Sequence, residues 1–281
     1  MDVLRYAAFT RDPSGGNPAG VVLDADGATD AAMQRLAADV GYSETAFLVP
    51  RADGAFDVRY FSPVAEVPFC GHATIAAAVA HADRHGAGLL RLHTRAGQVD
   101  VGTSTADGVV TATLTSVRTA VAEVGADDVD EALAALGWSR ADLDPLLPPR
   151  AAYAGAHHLV LALHDRSTLA ALDYSFDRLG ALMAARDWTT LQLVHRSGPT
   201  SFDVRNPFPP GGVVEDPATG AAAAALGGYL RELRLVEPPV TLTLRQGEDL
   251  GRPSLLVVDV PPGDGEPVRV TGSAVALPTI S

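Results

Sequence analysis

Short stretches in which apolar and polar residues alternate recur along the chain, and each predicts a β-strand. Ala55–Phe61 is one example, and SFDVRN and VTLTLRQG in the second half are others. Two long alanine-rich segments predict helices built on small residues. The first starts near residues 71–74 and ends at about residue 85, and the second spans residues 218–233. Each half of the chain therefore shows one order of elements: strands, a loop rich in proline and glycine, a small-residue helix and further strands.

The two halves also share a sequence. FDVR begins at Phe56 and again at Phe202, about half the chain length later, and an Ala-Thr pair and an alanine-rich helix follow each copy. Two unrelated strand–helix units are the alternative, but the shared order of elements favours a repeat. Because a repeat array needs three or more copies, two copies predict a two-lobed, pseudo-symmetric body.

Composition narrows the class of protein. The chain has 281 residues, of which 47% are hydrophobic and 20% are charged, so it is long enough and apolar enough to bury a sizeable core. A net charge of −13 argues against nucleic acid or an anionic membrane as a partner. The first ten residues lack the pattern of a signal peptide, and no stretch approaches the roughly 20 apolar residues of a membrane span. We therefore expect a cytoplasmic protein.

Two residue counts exclude whole classes of chemistry. All 21 basic residues are arginine, so a lysine Schiff base, with or without pyridoxal phosphate, and a Walker A lysine are both excluded. The single cysteine excludes an internal disulfide and a zinc site made of cysteines. The eight histidines show no H-E-x-x-H motif, and the neighbours His157 and His158 point apart on a predicted strand. We predict no metal.

Five motifs make the chain recognisable: GNPAGVV, SETAFL, RYFSPVAEVPFCGHATIAAA, EDPATGAAAAALGGYL and RQGEDLGRPS. Together they resemble the PhzF family of phenazine-biosynthesis-like isomerases and epimerases, over nearly the whole chain. The resemblance implies an α+β, diaminopimelate epimerase-like fold. In this fold two pseudo-symmetric lobes each wrap a curved, mostly antiparallel, barrel-like sheet around a central helix. Residues 1–118 with 268–281 would form the N-terminal lobe and 119–267 the C-terminal lobe, with the active-site cleft between them.

The resemblance also bears on the acid and the base. Cofactor-free racemases of this fold use two thiols, one from each lobe. Cys70 is at the position of the first thiol, but the matching position in the second copy is Asp216, so the twin-thiol reaction is excluded in this chain. The resemblance implies that Glu44 is the general acid/base instead. Since Glu44 precedes the apolar run TAFLV, burial would disfavour its charged form and suit it to proton transfer. A surface glutamate at a strand end is the alternative.

The same resemblance implies further roles. His72 would hydrogen-bond the substrate and relay a proton, the alternative being a capping or buried structural histidine. Asp216 is a natural helix N-cap because Pro217 comes directly after it, and it would also contact a substrate amine or hydroxyl. Cys70 is expected to act as a small packing residue, since no second thiol opposes it, although a helix start could stabilise its thiolate.

Small residues at both helix starts would let a ligand carboxylate approach unpaired backbone N–H groups. Their other explanation is close packing of a central helix, and both can hold. The expected substrate-binding residues are Asn17, Ser43, Gly71, Thr219, Gly220 and Ala221. Many members of the family carry serine at the position of Ala221. Alanine keeps the backbone N–H group but lacks the hydroxyl group, so the resemblance does not predict fine substrate selectivity.

These features predict a cofactor-independent isomerase or epimerase that moves a C–H proton on a small carboxylate-bearing molecule, in the manner of trans-2,3-dihydro-3-hydroxyanthranilate isomerase. The alternative is a non-catalytic protein that has kept the fold and binds a small molecule or another protein. Resemblance further implies a homodimer. No cofactor, nucleic acid or membrane is expected as a partner.

Overall fold

The computed structural model describes residues 1–278, which divide into two compact units. The first unit consists of Met1–Thr115 together with the segment that begins at Thr271, and the second unit is Ser116–Val270. The sequence-predicted lobes and the cleft between them stay a prediction, and residues 279–281 of the predicted N-terminal lobe lie outside the described residues.

The first unit contains the strands of a barrel and two helices. Its elements are β1 (Leu4–Ala8), β2 (Asn17–Val22), α1 (Asp30–Val40), β3 (Thr45–Pro50), β4 (Phe56–Phe61), β5 (Glu66–Val67), α2 (Gly71–His85), β6 (Leu89–Thr94), β7 (Gly97–Ala106) and β8 (Val109–Thr115). The last strand, β17 (Arg269–Ala276), begins two residues before this unit resumes.

Eight of these strands close into a ring around α2. Their hydrogen-bonded order is β1, β2, β3, β4, β6, β7, β8 and β17, and β17 pairs again with β1. Helix α2 packs against β1, β2, β3, β7 and β8, and residues 72–80 are all buried. A helix that is buried on every side must be apolar all round, which explains its run of alanines.

The second unit repeats this plan with additional helices. Its elements are β9 (Ala120–Ala122), α3 (Ala126–Leu136), β10 (Arg150–Tyr153), β11 (His157–Leu163), α4 (Arg166–Ala170), α5 (Phe176–Arg186), β12 (Thr190–Arg196), β13 (Ser201–Phe208), β14 (Val213–Asp216), α6 (Gly220–Glu232), β15 (Val240–Gln246) and β16 (Ser254–Val260). The strands pair in the order β9, β10, β11, β12, β13, β15 and β16.

Helix α6 is the central helix of the second unit. It packs against β9 to β12 and β16, and residues 222–231 are all buried. A side chain at Gly228 would place its Cβ 2.6 Å from the Cβ of Thr119, so only glycine fits there. No helix within residues 1–278 is both long and apolar enough to cross a bilayer.

Strand pairing shows that the two units are copies of one plan. In the first unit β2 pairs with β3 in parallel, and β4 with β6. In the second unit β11 pairs with β12 in parallel, and β13 with β15. The two FDVR sequences occupy corresponding strands, β4 and β13. The predicted fold class, a pseudo-symmetric α+β protein of the diaminopimelate epimerase type, is confirmed.

The arginine of each FDVR copy makes the same interaction. Arg59 binds Glu66 through two hydrogen bonds of 2.8 and 2.7 Å, and Arg205 binds Glu215 through Nε at 3.0 Å and Nη2 at 2.6 Å. Each glutamate belongs to the short strand, β5 or β14, that precedes a central helix. The repeat therefore preserves a bidentate ion pair that ties this segment to the barrel. Hydrogen bonds that Arg59 donates to carboxylates, chiefly that of Glu66, hold the pKa of Arg59 above its ordinary value.

Several sequence-predicted boundaries differ from the structure. Strands β5 and β14 lie in segments that the sequence predicts as loops, because a two- to four-residue strand has too little alternation to be recognised. The apolar run in SETAFLV predicts a strand over Ser43–Val49, but β3 begins only at Thr45, which leaves Ser43 and Glu44 in the connection before it.

The predicted N-cap of α6 is also wrong. Thr219 is the N-cap and Asp216 is the last residue of β14, because α6 begins only at Gly220. Counted from the helix start, the counterpart of Cys70, the N-cap of α2, is thus Thr219 rather than Asp216. The chain still has no second thiol.

The turn between β15 and β16 supports the segment before α6. Gly247 has φ +75°, and a Cβ there would lie 2.8 Å from the carbonyl oxygen of Pro217 and 2.3 Å from that of Arg252. Only glycine allows this close approach of three backbone segments. Gly251, at the other end of the same turn, has φ +69° but open space around it.

We predict that Glu215→Gln lowers the free energy of unfolding by about 3–5 kcal/mol, because it leaves the buried Arg205 guanidinium without its counter-charge. Urea denaturation followed by circular dichroism measures the change. The matched control is Asp128→Asn, which removes a comparable two-hydrogen-bond pair with Arg186 at the surface and should leave the urea midpoint nearly unchanged. Equal effects of the two substitutions would contradict the role given to the buried pair.

We also predict that Gly247→Ala destabilises the protein more than Gly251→Ala. Both substitutions incur about 1–2 kcal/mol of left-handed backbone strain, but only Gly247→Ala adds contacts with two carbonyl oxygens. Thermal unfolding of the two variants side by side gives the difference. Identical losses would mean that the turn moves freely away from Pro217.

Candidate active site

An acid, a base and a thiol come together in the first unit. The Oε2 atom of Glu44 lies 3.4 Å from Nε2 of His72, and the side chains are 17% and 7% exposed. Ser43 Oγ lies 3.3 Å from the same nitrogen, and Cys70 Sγ lies 3.4 Å from Nδ1 of His72. His72 is therefore the centre of the cluster, and the structure brings together three predicted site residues: Ser43, Glu44 and His72.

A buried chain of hydroxyl groups positions the thiol and the histidine. Tyr60 on β4 donates to Thr74 Oγ1 at 2.6 Å, and Thr74 donates to the carbonyl oxygen of Cys70, also at 2.6 Å. Burial raises the pKa of Tyr60, so it remains a neutral donor. Sequence reasoning does not identify Tyr60 or Thr74 as part of the site. The available signal is Thr74 at the fourth position after the helix N-cap, where a threonine hydroxyl can reach the carbonyl of that cap.

Two further predicted residues belong to the first unit. Asn17 is the first residue of β2, is 2% exposed and pairs with Ala8 of β1. Gly71 is the first residue of α2, and a Cβ at this position would meet nothing within 4 Å. There is thus open space at the helix start, where unpaired backbone N–H groups can receive an anion.

In the second unit a glutamine organises the residues before α6. Thr219 Oγ1 lies 2.6 Å from Oδ2 of Asp216 and donates to it. The buried amide of Gln246 accepts from the Thr219 backbone at 3.1 Å and donates to the backbone oxygen of Asp216 at 2.8 Å. Gln246 was missed by sequence reasoning. Its position in the strand VTLTLRQ, in phase with the buried Leu242 and Leu244, could have revealed it.

The start of α6 is more exposed than the rest of the helix. Gly220 and Ala221 are partly exposed, whereas residues 222–231 are buried. Thr219 donates its hydroxyl to Asp216, so its side chain makes no capping bond to the helix. The first N–H groups of α6 therefore lack a side-chain cap from Thr219, and Ala221 offers only its backbone.

A polar cluster lies on the strands beside Asp216. Asn206 of β13 is the register partner of Asp216, and its amide donates to Thr190 and Gln192 of β12. Thr190 also contacts Nδ1 of His158 at 2.8 Å. Burial lowers the pKa of His158 to about 3, so this histidine is neutral and does not serve as an acid near neutral pH.

The groups described here could transfer a proton, and the helix starts beside them could bind an anion. The first unit offers a carboxyl group and an imidazole in contact, and the second offers a carboxyl group that is held by a threonine hydroxyl. Within the described residues, one group of three potential metal ligands has its ligand atoms within 4.8 Å of one another, and it consists of Glu44, Cys70 and His72. No lysine is present for Schiff-base chemistry.

Comparisons with known proteins agree with this architecture. Residues 6–279 match the family model described as phenazine biosynthesis-like protein, PhzC-PhzF. An uncharacterized isomerase of Deinococcus radiodurans is 36% identical over 92% of this chain and 87% of its own length. A trans-2,3-dihydro-3-hydroxyanthranilate isomerase of Pseudomonas chlororaphis is 34% identical over 89% of this chain and 86% of its own length.

Solved structures extend the comparison. A protein from Pseudomonas aeruginosa, described as a predicted epimerase, is 30% identical with a TM-score of 0.85 and covers 98% of this chain and 96% of its own. A more distant likeness is a probable proline racemase from Agrobacterium radiobacter, 13% identical with a TM-score of 0.65 over 99% of this chain and 92% of its own, which shows the fold alone.

The family match spans nearly the whole chain, the two relatives are named isomerases, and the fold matches that of the Pseudomonas aeruginosa protein. The chain belongs to the PhzF family of phenazine-biosynthesis-like isomerases and epimerases.

Proposed function

We propose that this protein is a cofactor-independent isomerase that moves a proton between carbons of a small carboxylate-bearing substrate, with Glu44 as general acid/base. The observation that carries the proposal is the contact of Glu44 with His72 at 3.4 Å, in a mostly buried setting at the start of α2. A carboxyl group held beside an imidazole can accept a proton and return it at another position.

The proposed reaction uses the cluster in two steps. Glu44 in its carboxylate form removes a proton from a C–H group, and the resulting carboxylic acid exchanges with solvent and delivers a proton to a different carbon. His72 supports the step by hydrogen-bonding the substrate, while Ser43 holds the imidazole through its contact with Nε2. The open space at Gly71 suits a substrate carboxylate that accepts from backbone N–H groups of α2.

The second unit is proposed to complete substrate recognition. Asp216 would accept from a substrate amine or hydroxyl, and the partly exposed start of α6, with Thr219, Gly220 and Ala221, would bind a negatively charged group. Gln246 keeps Asp216 and Thr219 in place through three hydrogen bonds. That both units act on one substrate is part of the proposal.

The name of the Pseudomonas chlororaphis relative supports an aminocyclohexadiene carboxylate as the first substrate to test. At 34% identity, a different small carboxylate is equally compatible with the proposed chemistry. A cytoplasmic location and a homodimeric assembly are retained as proposals, on family resemblance.

We predict that the protein, in D₂O, catalyses deuterium incorporation into trans-2,3-dihydro-3-hydroxyanthranilate or another small cyclic carboxylate, and that Glu44→Gln abolishes it. An amide cannot take up and return the proton, so a loss of at least about 100-fold is expected. Mass spectrometry of the substrate measures the exchange.

Glu123→Gln is the matched control because its side chain is 90% exposed and lies in the second unit. It should exchange deuterium at the wild-type rate. Incorporation that persists in Glu44→Gln would move the base to another residue. The absence of incorporation across a panel of carboxylates would favour a binding protein that has kept the fold.

We predict that Cys70→Ala keeps most of the exchange activity. The assay contains a chelator, which removes any divalent metal ion. Cys70 supplies its backbone carbonyl to Thr74, which alanine preserves, and the chain holds no second thiol to act with it. The same mass-spectrometric assay applies. Abolished exchange in a variant with wild-type circular dichroism would assign the thiol to the reaction.

A further inference from the structure

We propose that Glu44, Cys70 and His72 bind a soft divalent cation of the Zn²⁺ class through one oxygen, one sulfur and one nitrogen atom. The sequence contains no motif of spaced cysteines that would indicate this site, and it predicts no metal. Cys70 and His72 are separated by one residue, and Glu44 lies 26 positions before Cys70, so only the fold brings the three side chains together.

The distances between the ligand atoms support the proposal. In a tetrahedral site with Zn–S of about 2.3 Å and Zn–N and Zn–O of about 2.0–2.2 Å, neighbouring ligand atoms lie roughly 3.4–3.6 Å apart. Here Nε2 of His72 lies 3.4 Å from Oε2 of Glu44 and 3.9 Å from Sγ of Cys70. All three ligand atoms lie within 4.8 Å of one another, and Sγ of Cys70 also lies 3.4 Å from Nδ1 of His72. Rotation of the Cys70 and His72 side chains would bring one ion within bonding distance of Oε2, Nε2 and Sγ.

Charge and setting also suit a cation of this class. A thiolate and a carboxylate together balance the two positive charges of the ion, and thiolate with imidazole selects zinc over magnesium or calcium. Cys70 is the N-cap of the 15-residue helix α2, at the positive end of the helix dipole. Three protein ligands leave a fourth position for water, and Ser43 Oγ lies 3.3 Å from the histidine nitrogen that would bind the metal.

Binding of the cation releases one proton from the protein. The Cys70 thiol loses its proton to solvent as the Zn–S bond forms, and His72 binds through a neutral nitrogen. The ion would then be bound to the oxygen atom of Glu44 that we assign to proton transfer. Because that atom could no longer accept a proton, the ion would inhibit the enzyme reversibly. That consequence rests on the proposed function, whereas cation binding rests on the geometry of the three side chains alone.

The test is a titration of the chelator-treated full-length protein with Co²⁺ alone. Thiolate-bound Co²⁺ has a charge-transfer absorption in the near ultraviolet, and because the chain has one cysteine, the band reports Cys70 and no other residue. We expect the band at one equivalent of Co²⁺ and its loss on addition of Zn²⁺, which binds such ligands more tightly. Cys70→Ala should abolish the band.

The roles of His72 and Glu44 as ligands are tested by measuring the affinity of their variants for Co²⁺. His72→Gln and Glu44→Gln should each weaken Co²⁺ binding by at least about tenfold. His85→Gln is the control, because His81 and His85 are spaced H-x-x-x-H on the same helix, with ring centroids 4.6 Å apart, and could hold a metal without a thiolate. This variant should keep both the band and the affinity.

A second measurement needs no substitution. Zn²⁺ should slow the reaction of Cys70 with a thiol reagent in the wild-type protein at least tenfold, because the sulfur atom would be occupied. The absence of a thiolate band at saturating Co²⁺, or unprotected Cys70 in excess Zn²⁺, would overturn the proposal. Deuterium exchange is measured separately with chelator present, so failure of the metal site and failure of the proposed reaction remain distinguishable.

Discussion

The bidentate arginine–glutamate pair that occurs once in each unit is the interaction on which the candidate site depends. In both units it joins a long barrel strand to the short strand that leads to the central helix. Arg205 also donates to the carbonyl oxygens of Leu169 and Ala170, so all three nitrogen atoms of this buried guanidinium make hydrogen bonds. A buried pair of this kind tolerates the loss of neither partner. The repeated FDVR sequence is therefore explained by a repeated structural requirement.

The pair matters because of its place along the chain, just before each central helix. Each short strand leads within a few residues to the start of a helix that is buried along most of its length. A helix surrounded by strands must carry small residues, and the first N–H groups of a helix have no partner within the helix. The fold thus supplies in each unit a helix start that we propose to bind an anion, and the segment fixed by the ion pair determines which side chains stand beside it.

Those side chains differ between the units, although the plan is shared. The first unit places Cys70 at the helix N-cap with His72 and Glu44 in contact, and the second places Thr219 there, hydrogen-bonded to Asp216. A symmetric scaffold is therefore combined with asymmetric chemistry. One carboxyl group next to an imidazole can move a proton away from and back to the same substrate face, which is the requirement of an isomerase that shifts a proton between carbons. Glu44 and His72, to which we assign this reaction, also form with Cys70 the site that we propose for a thiophilic cation.

The sequence by itself determined the order of elements, the two-copy plan, both central helices and the exclusion of lysine and twin-thiol chemistry, because these depend on local periodicity and on residue counts. Helix α2 is predicted to start between residues 71 and 74 and to end at about residue 85, and the structure has it at Gly71–His85, since small apolar residues and a glycine mark its limits. Only the tertiary structure decided that Thr219 rather than Asp216 caps α6, that Gln246 holds the segment before it, and that Tyr60 and Thr74 anchor Cys70. Tertiary structure also decided that Glu44, Cys70 and His72 have their ligand atoms within 4.8 Å. Contacts between residues far apart in sequence leave no periodic signal, because they arise from the closure of strands into a ring.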